Sequence, residues 1–246
     1  MSLECILSGE VLKTAFKGLN VLVSEAKAHF TENGLHIRAV DPANVAMVIL
    51  DIPKDSFESY IYPEEEKVIG IDISRINEFL KKISKKALVE LKIDDSRMTI
   101  ESGNIEYTIP LIDPSAIRKE PKIPELDLPV KVVLNAGDFK NYIELADKIS
   151  DDVVLRSDEI AFYIEAEGDI EKLRVTLTPS ELIEFNGAEA KSKFNIDYLK
   201  EFCKIAKNGD LLTILLGNDF PARLQFVICD GSAMIEYILA PRVEVE

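Results

Sequence analysis

The sequence has little of what most catalytic chemistry needs. It holds two histidines, His29 and His36, with no Cys or carboxylate cluster at metal-ligand spacing, so no metal centre is expected. A Gly-rich phosphate loop, a Gly-x-Ser-x-Gly elbow and a Cys-x-x-Cys pair are all missing. The three cysteines, Cys5, Cys203 and Cys229, are odd in number and widely spaced, which reads as reduced thiols inside a cell rather than a disulfide framework. No apolar run approaches the roughly 18 residues of a membrane span. The start, Met1-Ser2-Leu3-Glu4-Cys5, has no basic stretch leading into an apolar one, so no secretory signal is expected. Asp94-Asp95 and Asp151-Asp152 are carboxylate pairs, but sequence neighbours point apart on a strand and suit turns. No catalytic residue, cofactor or metal is assigned.

What is present is repetition. The pattern apolar-x-x-apolar-apolar-x-x-apolar begins at Leu12, Ile76, Phe139 and Leu199, at intervals of 64, 63 and 60 residues. Such spacing makes one apolar stripe along an α-helix. A short apolar run leads into each helix: Glu4 to Ser8, Val68 to Ile71, Val130 to Leu134 and Lys191 to Ile196. About three alternating runs follow, as in Leu211 to Leu216, Arg223 to Cys229 and Met234 to Ala240, split by Gly217-Asn218-Asp219 and Asp230-Gly231-Ser232. Alternation punctuated by Asn, Asp and Gly predicts antiparallel strands. The unit is therefore β-α-β-β-β, present four times in an α+β chain of 246 residues. One such unit buries too little surface to stand alone, which favours two domains of two copies each.

The net charge of −15 argues at first against a nucleic-acid partner. Its distribution changes that reading. Predicted helices over 9–22, 74–86, 137–150 and 195–208 hold 12 of the 29 Lys+Arg and only 7 of the 44 Asp+Glu. At 100° per residue the first buries Val11, Leu12, Ala15, Phe16, Leu19, Leu22 and Val23, turning Lys13, Lys17, Asn20 and Ser24 outward. The second buries Ile76, Phe79, Leu80 and Ile83 and exposes Arg75, Lys81, Lys82, Lys85 and Lys86. The fourth buries Leu199, Phe202, Cys203 and Ala206 and exposes Lys200, Lys204 and Lys207. On the third, Lys140 and Lys148 share their face with Glu144 and Asp147.

In the first copy Ala28 to Thr31, Leu35 to Val40 and Val45 to Ile52 read as strands, with Asn33-Gly34 a hairpin signal and Pro53 to Glu66 a loop. The second continues through Leu88 to Ile93, Met98 to Glu101 and Ile105 to Leu111, the third through Val153 to Arg156, Ile160 to Glu165 and Leu173 to Leu177. Between them Pro110, Pro114, Pro121, Pro124 and Pro129 mark an extended, semi-rigid connector. Ile123, Leu126 and Leu128 within it are greasier than a spacer needs.

The repeat, the basic helices and the Pro-rich connector together resemble the sliding clamps of the proliferating cell nuclear antigen family. The most specific points are Ala39-Val40-Asp41-Pro42-Ala43-Asn44-Val45-Ala46-Met47-Val48, Leu111-Ile112-Asp113, Ile123-Pro124-Glu125 and Leu239-Ala240-Pro241-Arg242. The resemblance covers the whole chain. It implies an N-terminal clamp domain over 1–113, a connecting loop over 114–129 and a C-terminal clamp domain over 130–246. It implies a trimeric ring with helices inside and antiparallel sheets outside. Helices about 10 Å apart and about 5 Å in radius leave almost no hole when four form a circle and a hole of radius about 14 Å when twelve do. Twelve, from three chains, clears a DNA duplex.

By the same resemblance the function is that of a DNA polymerase processivity factor, with no catalysis. Lys13, Lys17, Lys81, Lys82, Lys140, Lys148, Lys200, Lys204 and Lys207 would face encircled double-stranded DNA and meet phosphates without reading bases. Short hydrophobic peptides of the polymerase, the clamp loader, nucleases and ligases would dock on Val40, Val45, Met47, Ile123, Pro124, Leu128, Pro221, Ile238, Ala240 and Pro241. Subunits would join through Ile105, Tyr107 and Ile109 of one chain and Leu173, Val175 and Leu177 of the next. Asn141 and Glu144 depart from animal members, which carry basic residues there, and Leu128 and Ile238 stand in place of tyrosines. The resemblance implies an intracellular protein, cytoplasmic or nucleoid-associated in an archaeon and nuclear in a eukaryote. A damage-checkpoint clamp of the same fold and an acidic enzyme built on Asp94, Asp95, Asp151 or Asp152 are the competing readings.

Overall fold

A computed structural model describes residues 3–61 and 65–243; Met1, Ser2, residues 62–64 and the last three residues lie outside them. The first copy runs β1 (Leu3–Ser8), α1 (Gly9–Asn20), β2 (Glu25–Thr31), β3 (Gly34–Val40), β4 (Ala46–Pro53) and β5 (Phe57–Ile61). The second is β6 (Lys67–Asp72), α2 (Ile73–Leu80), β7 (Leu88–Ile93), β8 (Arg97–Ser102) and β9 (Ile105–Pro110). The third is β10 (Val130–Asn135), α3 (Ala136–Ala146), β11 (Asp152–Ser157), β12 (Phe162–Glu167), β13 (Lys172–Leu177) and β14 (Glu184–Asn186). The fourth is β15 (Ala190–Asn195), α4 (Ile196–Phe202), β16 (Leu211–Leu216), β17 (Ala222–Ile228) and β18 (Ala233–Leu239). The chain forms two compact units. One extends to Lys122 and takes in Ile228–Ile235; the other is Ile123–Val227 with the residues from Glu236 on.

Within each unit the copies exchange their leading strands. In the first, β1 pairs antiparallel with β7 of the second copy, giving the order β5-β1-β7-β8-β9. Reciprocally, β6 pairs with β2, giving β4-β3-β2-β6. The second unit repeats the exchange: β15 joins β11 in β13-β12-β11-β15, and β10 joins β16 in β14-β10-β16-β17. The Asn33-Gly34 turn behaves as its residues demand, with Thr31 opposite Gly34 at φ 128°, a value L side chains avoid.

Every helix starts with a side-chain cap. Ser8 accepts from the Glu10 amide at 3.1 Å, Asp72 from Arg75 at 2.8 Å, Asn135 from Gly137 at 2.9 Å and Asn195 from Asp197 at 2.9 Å. These caps recur at the interval of the helices themselves, a signal the apolar periodicity alone does not use. Each is worth about 1 kcal/mol.

The structure corrects the predicted elements in several places. Helix 2 ends at Leu80 rather than 86, and helix 4 at Phe202 rather than 208, followed by one tighter turn, Cys203–Ile205. In that turn residues three apart eclipse, so Ile205 is buried and Ala206 is not. Helices 1 and 3 stop at Asn20 and Ala146. The expected loop after β4 contains β5, and β14 stands at the matching place of the third copy; both are short edge strands beside a leading strand. The connector has no regular element, but its buried anchor is Ile117.

The core of the second unit is aromatic. Phe202 stacks on Tyr237 with centroids 4.0 Å apart and planes 2° apart, while Phe226 meets Tyr237 edge-on at 5.9 Å. All three are fully buried. Phe202→Ala is expected to cost about 3–5 kcal/mol in chemical denaturation; a loss below about 1 kcal/mol would contradict this packing.

Burial, with the Glu90 charge adding to it, pushes the Cys5 thiol up to about 12, and burial raises Cys203 to about 12. Three units above the ordinary value leaves about a thousandth of the usual thiolate. Iodoacetamide at pH 8 should therefore label half-buried Cys229 first; peptide mapping that finds Cys5 or Cys203 reacting equally fast would refute this.

Candidate nucleic-acid and partner surfaces

In each unit the two helices pack against one another, and the polar joint between them differs. In the first, Ser74 Oγ donates to Asn20 Oδ1 at 2.8 Å. In the second, the same repeat positions hold Asp197 and Asp147, and Lys200 Nζ lies 3.6 Å and 2.9 Å from them. A direct contact of two carboxylates would be repulsive, so the lysine is interposed. The Asp147 carboxylate holds the Lys200 ammonium above its ordinary pKa.

The predicted DNA-facing lysines fall into groups. Lys17, Lys81, Lys82, Lys148 and Lys204 are exposed; Lys13, Lys140, Lys200 and Lys207 are half-buried. Lys81 pairs with Glu78 and Lys204 with Glu201, each one helical turn away. Lys140 lies 3.9 Å from Glu144. Lys82 and Lys148 have no carboxylate partner among the described residues. Lys13 is turned onto the backbone, with Nζ 2.6 Å from Ile83 O and 3.2 Å from Lys81 O.

The Asp41-Pro42-Ala43-Asn44 motif has a local cause. Asp41 is buried and its Oδ1 accepts from the amides of Val45 at 2.8 Å and Ala46 at 2.9 Å. Asn44 takes φ 58°, a left-handed value asparagine tolerates. The loop is clasped by Arg118, which donates to Asp41 O at 3.0 Å and Asn44 Oδ1 at 2.5 Å. Two residues on, Glu120 meets His29 Nε2 at 3.0 Å, while Glu66 meets Nδ1 at 2.6 Å. Sequence reading missed Arg118, His29 and Glu120. Contacts 74 and 91 residues apart leave no local signal.

The residues assigned to client peptides are distributed over both units. In the first, Val40 and Val45 are half-buried and Met47 is buried. In the second, Ile123 is exposed, Pro124, Leu128, Pro221, Ala240 and Pro241 are half-buried, and Ile238 is buried. Pro241 is fixed by its neighbour: the Arg242 amide donates to Lys193 O at 2.7 Å and its Nε lies 3.0 Å from Asp152. Beside it is a polar cleft of about 720 Å³ whose walls include Glu165, Lys191 and Asp219.

The strands assigned to the subunit joint, β9 and β13, are the outermost strands of their sheets. On β9, Ile105 is exposed, Tyr107 is half-buried and stacks on Phe79 at 4.5 Å, and Ile109 is buried. On β13, Leu173 and Val175 are half-buried and Leu177 is buried. The buried pair belongs to the cores of their own units.

Within each unit the paired aspartates have local partners. Asp94 accepts from the amides of Ser96 and Arg97, each at 2.7 Å, and these hold its carboxyl below the usual range. Asp95 faces Lys67 at 3.8 Å, and Asp152 faces Arg242. Among the described residues no three His, Cys, Asp or Glu side chains gather where they could hold a metal ion. No helix among them is long and apolar enough to cross a membrane.

Two units of exchanged β-α-β-β-β copies, with lysines on the helix pairs and the turns that follow them, define a DNA-clamp fold. Comparison with known proteins agrees. The N-terminal domain of proliferating cell nuclear antigen matches residues 3–105, and its C-terminal domain matches residues 122–242. The DNA polymerase sliding clamp of Archaeoglobus fulgidus is 58% identical over 245 residues, covering 99% of this chain and 100% of the relative. A solved structure of the A. fulgidus clamp with the C-terminal region of FEN-1 bound superposes with a TM-score of 0.97 at 58% identity, covering 99% of this chain and 100% of that one. The Thermococcus kodakaraensis protein gives 0.90 at 26% identity, covering 98% and 100%. The chain belongs to the proliferating cell nuclear antigen family, the DNA polymerase sliding clamps.

Replacing Lys200 by Met leaves Asp147 and Asp197 facing each other without a cation. Because its folded pKa is raised, the wild-type ammonium stabilises throughout neutral pH and is lost only in strong alkali. The variant should melt lower than wild type at pH 7, and the gap should narrow in strong alkali, where Lys200 itself loses its proton. A gap independent of pH would sink this account of the joint.

Proposed function

We propose that three copies of this chain close into a ring around duplex DNA, and that the ring tethers replication and repair proteins without catalysing a reaction itself. A closed ring cannot leave DNA sideways, so no tight contact is needed. The observation that carries the reading is the concentration of lysine on the paired helices and on the turns that follow them, in a protein whose net charge is −15. The helix lysines meet phosphates loosely, led by exposed Lys82 and Lys148, and the acidic remainder repels DNA from other faces.

The domain bounds are 1–113 and 130–246, joined by 114–129. The subunit joint pairs β9 of one chain with β13 of the next, since an outermost strand presents unsatisfied backbone groups. Client peptides like the FEN-1 segment bound to the A. fulgidus clamp meet Val40, Val45 and Met47 of the first unit and Ile123, Pro124, Leu128, Pro221, Ile238, Ala240 and Pro241 of the second. The exposure of Ile123 at 41% supports this, because an apolar side chain left in water gains by being covered. The protein acts inside the cell, where the DNA is.

Light scattering after size exclusion should give the mass of three chains, and loaded protein should stay on circular DNA and run off once the circle is linearised. Reversing Lys82 and Lys148 to Glu should weaken loading and retention with the trimer intact. Equal loss from circles and linear fragments would defeat the encirclement reading. Replacing Ile123 and Leu128 by Ala should weaken a clamp-binding peptide roughly tenfold, about 1.4 kcal/mol, without opening the ring; unchanged affinity in calorimetry would place the peptide elsewhere.

A further inference from the structure

The end of α2 is held by α1. The helix stops at Leu80, and the chain turns back through short bonds from the Lys82 amide to Phe79 O at 3.0 Å and from Ile83 to Leu80 O at 3.0 Å. Carbonyls at the end of a helix lack helical donors. Lys13, a turn into α1, supplies a donor at the cap and beyond it: its ammonium bonds Lys81 O, just past the last helical residue, and Ile83 O in the turn. At the start of α1 the Gly9 amide donates to Ala87 O at 2.8 Å, and a Cβ on Gly9 would stand 2.6 Å from Ser84 O. The turn 81–87 is thus gripped at both ends by one helix. It carries Lys81, Lys82, Lys85 and Lys86, all exposed.

The second unit keeps only half of this grip. Its Ala136 amide donates to Asp210 O at 2.9 Å, matching Gly9 and Ala87. Lys140, at the repeat position of Lys13, instead lies beside Glu144. The ammonium clasp of the first unit is therefore a feature of Lys13 rather than of the repeat.

We infer that Lys13 is a positioning residue: it does not meet phosphate but holds the basic turn 81–86 so that Lys82 does. The inference rests on the encirclement reading. An ammonium has three donors, and two of those of Lys13 are engaged by carbonyls. Swinging it to a phosphate would strip the Lys81 carbonyl at the negative end of α2, where a cation is favoured, and the Ile83 carbonyl in the turn beyond it. Lys82, exposed and without a carboxylate partner among the described residues, reaches a phosphate at no such cost.

Full-length protein carrying Lys13→Met, Lys82→Met, both changes, or Lys13→Arg tests this by two measurements. In hydrogen exchange, Lys13→Met should speed the amides of Ile83 to Ala87 by tenfold or more, Lys82→Met should not, and Lys13→Arg should restore protection. In retention on circular DNA against salt, each lost phosphate contact lowers the slope by about 0.9. Lys13→Met should lower it when Lys82 is present and add nothing when Lys82 is already Met. Additive losses with unchanged exchange would overturn the inference and make Lys13 a phosphate ligand. Should Lys82→Met leave retention untouched, the DNA reading itself fails, while the exchange experiment still judges the clasp.

Discussion

The exchange of leading strands between neighbouring copies is the constraint on which the rest depends. A strand without partners presents a row of unsatisfied amides and carbonyls. Here β1 finds its ladder on β7 of the next copy and β6 finds its own on β2. Neither copy can complete its sheet without the other, so the two copies form one structural unit. Each helix follows its leading strand directly, and the reciprocal pairing brings α1 beside α2 and α3 beside α4. The lysines are adjacent because the strands are exchanged.

Electrostatics then works at two levels. Four of the nine lysines assigned to DNA are engaged locally, by Glu78, Glu144, Asp147 or Glu201, and exposed pairs of this kind contribute little to stability. Their role is to set direction and spacing. In the second unit Lys200 joins two helices whose facing residues are both aspartates, where the first unit uses a serine and an asparagine. One repeat thus solves the same joint by a charge and by a hydrogen bond. The field around DNA is collective and belongs to whatever cationic charge remains after these local engagements.

The connector shows the same economy of contacts. Its first part is fastened to the first unit by Arg118, by His29 through Glu120, and by Ile117 packed against Gly70, where a Cβ would stand 2.7 Å from the isoleucine. Beyond that, Ile123 is left in water. A neutral imidazole donates through one nitrogen only, so His29 serves both Glu66 and Glu120 as donor only when protonated.

Much of this was legible in the sequence. Apolar residues at helical spacing, alternation in the strands, Asn33-Gly34 and the prolines each act through nearest neighbours along the chain, although Pro110 closes β9 and the short edge strands β5 and β14 left no such mark. The caps at Ser8, Asp72, Asn135 and Asn195 were equally local and would have sharpened the helix starts. The second and fourth helix ends differ from the periodicity because Ile83 and Ala206 fit a continuing stripe, yet Ile83 reaches the core from a turn and the tighter turn after Phe202 buries Ile205 in place of Ala206. Only the tertiary structure decided that Lys13 faces carbonyls, that Lys200 joins two aspartates and that Arg118 closes the Asp41 loop. Those outcomes depend on residues from 53 to 77 positions distant, and periodicity carries information only along one element. The chain's own order wrote the repeat; folding alone determined which of its charges were left for a partner.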